Sequence, residues 1–113
     1  MCHEYYAKIV NAIEKNIIVT DLLDKVLFAV SSELQNYLND NITTFHHTIS
    51  DCVKIEQIDN KISFRICGQI YTINKNVVLK EYYTTFYARP NCSSENIMKD
   101  CLLKELLYVI TNI

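Results

Sequence analysis

Glycine and proline are almost missing from this chain, one of each in 113 residues, and tryptophan is absent. Phosphate-cradling turns and loop-built catalytic sites rely on glycine for backbone conformations that other residues resist, so this shortage argues against an elaborate loop site. No glycine-rich nucleotide motif, Gly-x-Ser-x-Gly elbow or kinase signature occurs. Nor does any apolar run approach the roughly 20 residues that cross a bilayer, so no membrane partner is expected. The opening Met1-Cys2-His3-Glu4-Tyr5-Tyr6 lacks the basic region and apolar core of a secretory leader.

Metal-ligand spacing is missing as well. Cys2, Cys52, Cys67, Cys92 and Cys101 never form Cys-x-x-Cys, and His3, His46 and His47 never form His-x-x-x-His. A zinc site needs three or four ligands, usually paired so that one turn presents two of them. His46, His47 and Cys52 come nearest to a zinc site or a thiol nucleophile, and read better as surface histidines and a core thiol. Asp21, Asp24 and Glu33 read as helix-end and solvated charges rather than an acid–base pair. We therefore expect no catalytic residue, no metal and no cofactor. An odd set of unpaired cysteines without a leader points to a reducing compartment, cytoplasmic or nuclear.

What is present describes an ordinary globular chain: 50% hydrophobic, 21% charged and a net charge of −2. Its length suits a single domain over residues 1–113. Abundant Ile, Asn, Lys and Tyr have AT-rich codons, which points to an AT-rich genome such as that of a large virus, phage, low-GC bacterium or protist.

Periodicity supplies the elements. Tyr6, Ile9, Ile13 and Ile17 recur at helical spacing and predict a helix over Glu4–Ile18. Thr20 or Asp21 would cap a second helix carrying Leu23, Val26, Leu27, Val30, Leu34 and Leu38, stopped by Asn39-Asp40-Asn41. The segment from Ile42 to Ser50 suits a strand or a loop. From Cys52 the period becomes two: Val53 to Glu56 alternates, and Asp59-Asn60 makes a turn. Ile62, Phe64, Ile66 and Ile70 then line one face of a second strand, with Gly68 as a bulge. After Asn74-Lys75-Asn76, the Val-, Tyr-, Thr- and Phe-rich run from Val77 to Ala88 predicts a third strand. Ser93 or Ser94 caps a last helix with Glu95 in its first turn. The expected fold is α+β: two N-terminal helices, a three-stranded antiparallel meander and a C-terminal helix, with the helices on one face of the sheet.

Charge is distributed unevenly along this order. Lys54, Lys61, Arg65, Lys75, Lys80 and Arg89 against Glu56, Asp59 and Glu81 make the middle +3, whereas the stretch before it is −4. If Ile62 to Ile70 face the helices, Lys61, Arg65 and Tyr71 face outward, and Lys80, Tyr82 and Phe86 join them from the third strand. These six residues form the candidate partner-binding face. Tyrosine and arginine suit protein interfaces, so the leading expectation is a small non-enzymatic interaction module, an inhibitor, adaptor or modulator from a virus or mobile element. The alternative is binding of RNA or single-stranded DNA, with cations on phosphates and rings stacked on bases. The last helix is apolar over more than one stripe, which predicts a homodimer.

Overall fold

A computed structural model describes residues 2–41, 53–88 and 91–112. It has an α+β architecture with the order α1 (Cys2–Asn41), β1 (Lys54–Ile58), β2 (Lys61–Ile66), β3 (Gln69–Asn74), α2 (Lys75–Ala88) and α3 (Ser94–Thr111). The strands form one antiparallel sheet, with β2 between β1 and β3. The expected Ile42–Ser50 segment, Cys52, His46 and His47 lie outside the described residues.

The expected two N-terminal helices are one helix of 40 residues. At 1.5 Å per residue it spans about 60 Å, which accounts for the 64 Å long axis of the molecule. Thr20 and Asp21 are good caps, yet inside a helix each costs only about 0.7 kcal/mol or less. No glycine or proline stands at the joint, and Val19 and Leu23 pull both sides of it into the core. Burial of these side chains outweighs the weak local signal to stop.

Two hairpins build the sheet. In the first, Ile58 pairs with Lys61 across Asp59-Asn60, with Asp59 at φ 55°. In the second, Ile66 pairs with Gln69 across Cys67-Gly68, at φ 52° and 80°. Positive φ at both central residues is what a type I′ turn requires, and its twist matches that of the flanking strands. Gly68 is therefore a reversal and not the expected bulge.

That reversal uses up the third strand early and releases the run after Asn74 to form a helix. The predicted strand from Val77 to Ala88 is α2. Neither strand phase buries a clean face here, because Glu81 interrupts one and Lys80 the other. At helical spacing Val78 and Tyr82 fall together and are both buried. Asn74 caps the helix, its Oδ1 accepting from the Asn76 backbone N–H at 2.8 Å. The Lys75 N–H donates to the Asn60 carbonyl at 2.7 Å, tying the start of α2 to the first turn. At α3 the cap is Ser93, whose Oγ accepts from the Asn96 N–H at 3.2 Å.

The core joins the helices with β2 and β3. Leu23, Val26, Leu27 and Val30 of α1 meet Ile62 and Phe64 of β2, Ile73 of β3, Val78 and Tyr82 of α2, and Ile97, Met98, Cys101 and Leu102 of α3. Among the described residues no polar side chain is buried, so apolar burial sets the stability. Polar contacts fix β1 along α1 instead. Gln35 Oε1 accepts from the Val53 N–H at 2.6 Å, Ser31 Oγ donates to the Val53 carbonyl, and Gln57 donates to Asp24.

Candidate functional site

Register divides the sheet into two chemically different faces. Lys54, Arg65 and Ile70 stand in one cross-strand row, Glu56, Ser63 and Thr72 in the next, and Ile58, Lys61 and Asn74 in the third. All nine are exposed or only half-buried. Ile62, Phe64, Ile66 and Ile73 point to the other side and are buried. The outer face thus carries Lys54, Lys61 and Arg65 against the single carboxylate Glu56. At opposite corners of this face stand two uncovered isoleucines, Ile58 on β1 beside Lys61 at 57% and Ile70 on β3 beside Arg65 at 64% exposure. The hydroxyls of Ser63 and Thr72 pair at 3.3 Å in the middle row. An open depression at one end is lined by Ile58, Asp59, Asn60, Lys61, Ser63 and Thr72.

Of the six residues expected to share one binding face, Lys61 and Arg65 do so. Tyr71 does not: it is half-buried against the core on the inner face, cross-strand from Phe64. The two-residue turn is the reason. A continuous strand through Gly68 would place Ile70 inward and Tyr71 outward, whereas pairing Ile66 with Gln69 inverts both. Lys80, Tyr82 and Phe86 stand on α2 rather than on the sheet. Lys80 is exposed there. Tyr82 is buried, with its ring 5.7 Å from that of Tyr83 and 5.8 Å from that of Phe86. Sequence reasoning missed Lys54, Ile58 and Ile70 as outer-face residues. Alternation already marked Lys54, and reading Cys67-Gly68 as a hairpin turn would have found Ile70.

Elsewhere charge serves packing. Lys25 pairs with Glu95, Lys99 with Glu33 at 2.9 Å and Lys104 with Glu81 at 2.8 Å, linking α3 to α1 and α2. The Lys25 ammonium, by hydrogen bond and by charge, holds the Glu95 carboxyl below its ordinary range. Glu81 likewise raises Lys104. Burial pushes the Cys101 thiol up, against a hydrogen bond with Thr85 that lowers it, so this cysteine is less ready to form a nucleophilic thiolate. Among the described residues no group of three or more His, Cys, Asp or Glu side chains is placed to hold a metal ion. No helix among them is long and apolar enough to cross a membrane.

Compared with known proteins, the chain matches no family model, no curated protein and no solved structure. Its functional reading therefore rests on the chemistry of its own surfaces.

Proposed function

We propose that this protein is a small non-enzymatic interaction module whose working face is the outer face of the sheet, and that its partner is a protein segment combining carboxylates with apolar side chains. The observation that carries this reading is the placement of Ile58 and Ile70, more than half exposed, beside Lys61 and Arg65 on the same sheet face as Lys54. Cations favour and orient an acidic partner. Covering the isoleucines contributes about 25 cal/mol per Å² of apolar surface removed from water. Such a module would serve as an inhibitor, adaptor or modulator. The free thiols of Cys67, Cys92 and Cys101 suit a reducing cytoplasmic or nuclear setting.

The same cations support a second reading, contact with the phosphates of RNA or single-stranded DNA. It is the weaker of the two because sequence-tolerant strand binding also uses aromatic stacking, and the outer face presents no ring. Its nearest expected tyrosines, Tyr71 and Tyr82, are turned inward or buried.

Fluorescence anisotropy at low and moderate salt separates these readings, using a labelled 20-residue Glu/Leu peptide and a labelled single-stranded RNA 20-mer. The protein reading expects the peptide to bind and to be weakened both by Lys61→Glu with Arg65→Glu and by the uncharged Ile70→Asn. Binding of RNA that is insensitive to Ile70→Asn would replace it with the nucleic-acid reading. If neither probe binds at low salt, where attraction between charges is greatest, the outer face is not the working face.

A further inference from the structure

A second surface is independent of the sheet. The N-terminal part of α1 runs beyond the body of the molecule, and every residue from His3 to Ile18 is exposed. Its Tyr5, Tyr6, Ile9, Val10, Ile13 and Ile17 are 52–69% exposed. They are not scattered. Tyr6, Ile9, Ile13, Asn16, Thr20, Leu23, Leu27, Val30 and Leu34 follow the alternating three- and four-residue spacing of a heptad seam. From Leu23 onward the body of the molecule covers that seam, with Leu23, Leu27 and Val30 all buried. Before Val19 the same seam faces solvent. Tyr83 of α2 stands beside the arm at Ala12, Lys15 and the edge of the seam at Asn16, with the Lys15 ammonium 4.8 Å from its ring centre, and leaves Tyr6, Ile9 and Ile13 uncovered.

We propose that the occupant of this seam is the arm of a second copy of the chain, paired antiparallel to form a homodimer. Area supports pairing. With about 180–220 Å² for each fully exposed side chain, the six residues offer on the order of 600 Å² per chain, or roughly 1,200 Å² across a pair, which reaches the lower end of specific interfaces. Charge supports self-recognition over a lipid surface or a charged partner. Glu4, Lys8, Glu14 and Lys15 cancel, and all four fall at heptad positions away from the seam and its flanking positions. Pairing the arms therefore desolvates no charge and opposes no like charges, while the arm has no net positive charge to draw it to anionic lipid.

Shape sets the orientation. Paired helices lie about 8–10 Å apart, whereas the molecule measures 31 × 24 Å across its long axis. A parallel pair would drive the two bodies into each other where each covers its own seam from Val19 onward. An antiparallel pair puts them at opposite ends. In that arrangement Ile9 packs against Ile13 of the partner subunit, and Tyr6 lies against Asn16 of the partner subunit, where phenol and amide can hydrogen-bond.

The test uses the full chain in light scattering after size exclusion over a micromolar concentration series, with Ile9→Lys and Ile13→Glu variants. Both side chains are exposed in the single chain, so the fold is kept, and circular dichroism verifies it. The wild type is expected at twice 13.2 kDa and each variant at the single-chain mass. Mixing the two variants restores the dimer, because antiparallel arms set the new lysine of one copy beside the new glutamate of the other; parallel arms would not. A wild type that stays at single-chain mass at about 100 µM, a concentration at which even a weak specific pair should form, overturns the proposal. So does a dimer that survives in both variants, which would move the contact to another apolar surface such as Leu103, Leu107 and Ile110 on α3. A mixture that fails to restore the dimer overturns the antiparallel arrangement.

Discussion

Ile70 and Tyr71 are neighbours in sequence and opposites in the fold, and truncating each in turn tests the hairpin that separates them. Ile70 stands on the outer face at 64% exposure, so Ile70→Ala removes roughly a third of the burial that a core isoleucine would lose and opens no cavity. Scaled from about 2–5 kcal/mol for a fully buried Ile→Ala, the cost is about 1 kcal/mol or less. Tyr71 is half-buried and lies across from Phe64, which is fully buried. Tyr71→Ala should cost about 2–3 kcal/mol, reduced from the roughly 3–5 kcal/mol typical of a buried aromatic ring. At a urea slope of about 1.5 kcal/mol per M, the midpoints fall by less than about 0.7 M and by about 1.3–2 M. Urea titration followed by far-UV circular dichroism measures both. If Ile70→Ala proves as costly as Tyr71→Ala or more so, β2 runs on through Gly68 and the assignment of both sheet faces collapses.

Three further outcomes follow from the same geometry. Gly68→Ala should cost about 1–2 kcal/mol purely through its left-handed backbone, since a Cβ added there meets no atom within 4 Å; Gly68→Asn should cost less, and equal urea midpoints for the two would contradict a φ-based origin. Ser93→Ala should lose about 1 kcal/mol with the N-cap bond to Asn96, and a thermal melt in which Ser94→Ala does the greater damage would shift the cap by one residue. Because burial raises the Cys101 thiol pKa, the folded chain keeps that proton at pH values where the unfolded chain loses it. Its contribution is complete below the ordinary thiol value of about 8.5 and declines as pH rises through that value; urea midpoints from about pH 7 to 10 should fall less steeply in Cys101→Ala, and parallel slopes would refute the shift.

Local pattern reads best where one period serves both the backbone and the core. α3 was legible from Ser93, Glu95 and its apolar repeat, and β1 and β2 from alternation around Asp59-Asn60. Of the candidate face, Lys61 and Arg65 could be placed because β2 is the central strand and its two faces differ sharply in polarity.

Tertiary structure decided the rest. Thr20 and Asp21 carry a stop signal worth well under the burial of Val19 and Leu23, so α1 continues through them. Val77 to Ala88 has strand-loving side chains, but β3 is already supplied by Gln69–Asn74, and α3 packs beside the run with Lys104 paired to Glu81. Helical spacing then buries Val78 and Tyr82 in a single core, which neither strand phase could do without interruption by charge. Moving those residues to a helix and inverting Ile70 and Tyr71 changed the expected tyrosine-rich face into one of cations and isoleucines. Composition and periodicity thus determined which segments could be ordered and which charges clustered. Competition for one core determined the faces, because a two-residue turn and the spacing of a few buried side chains set which way every neighbouring residue points.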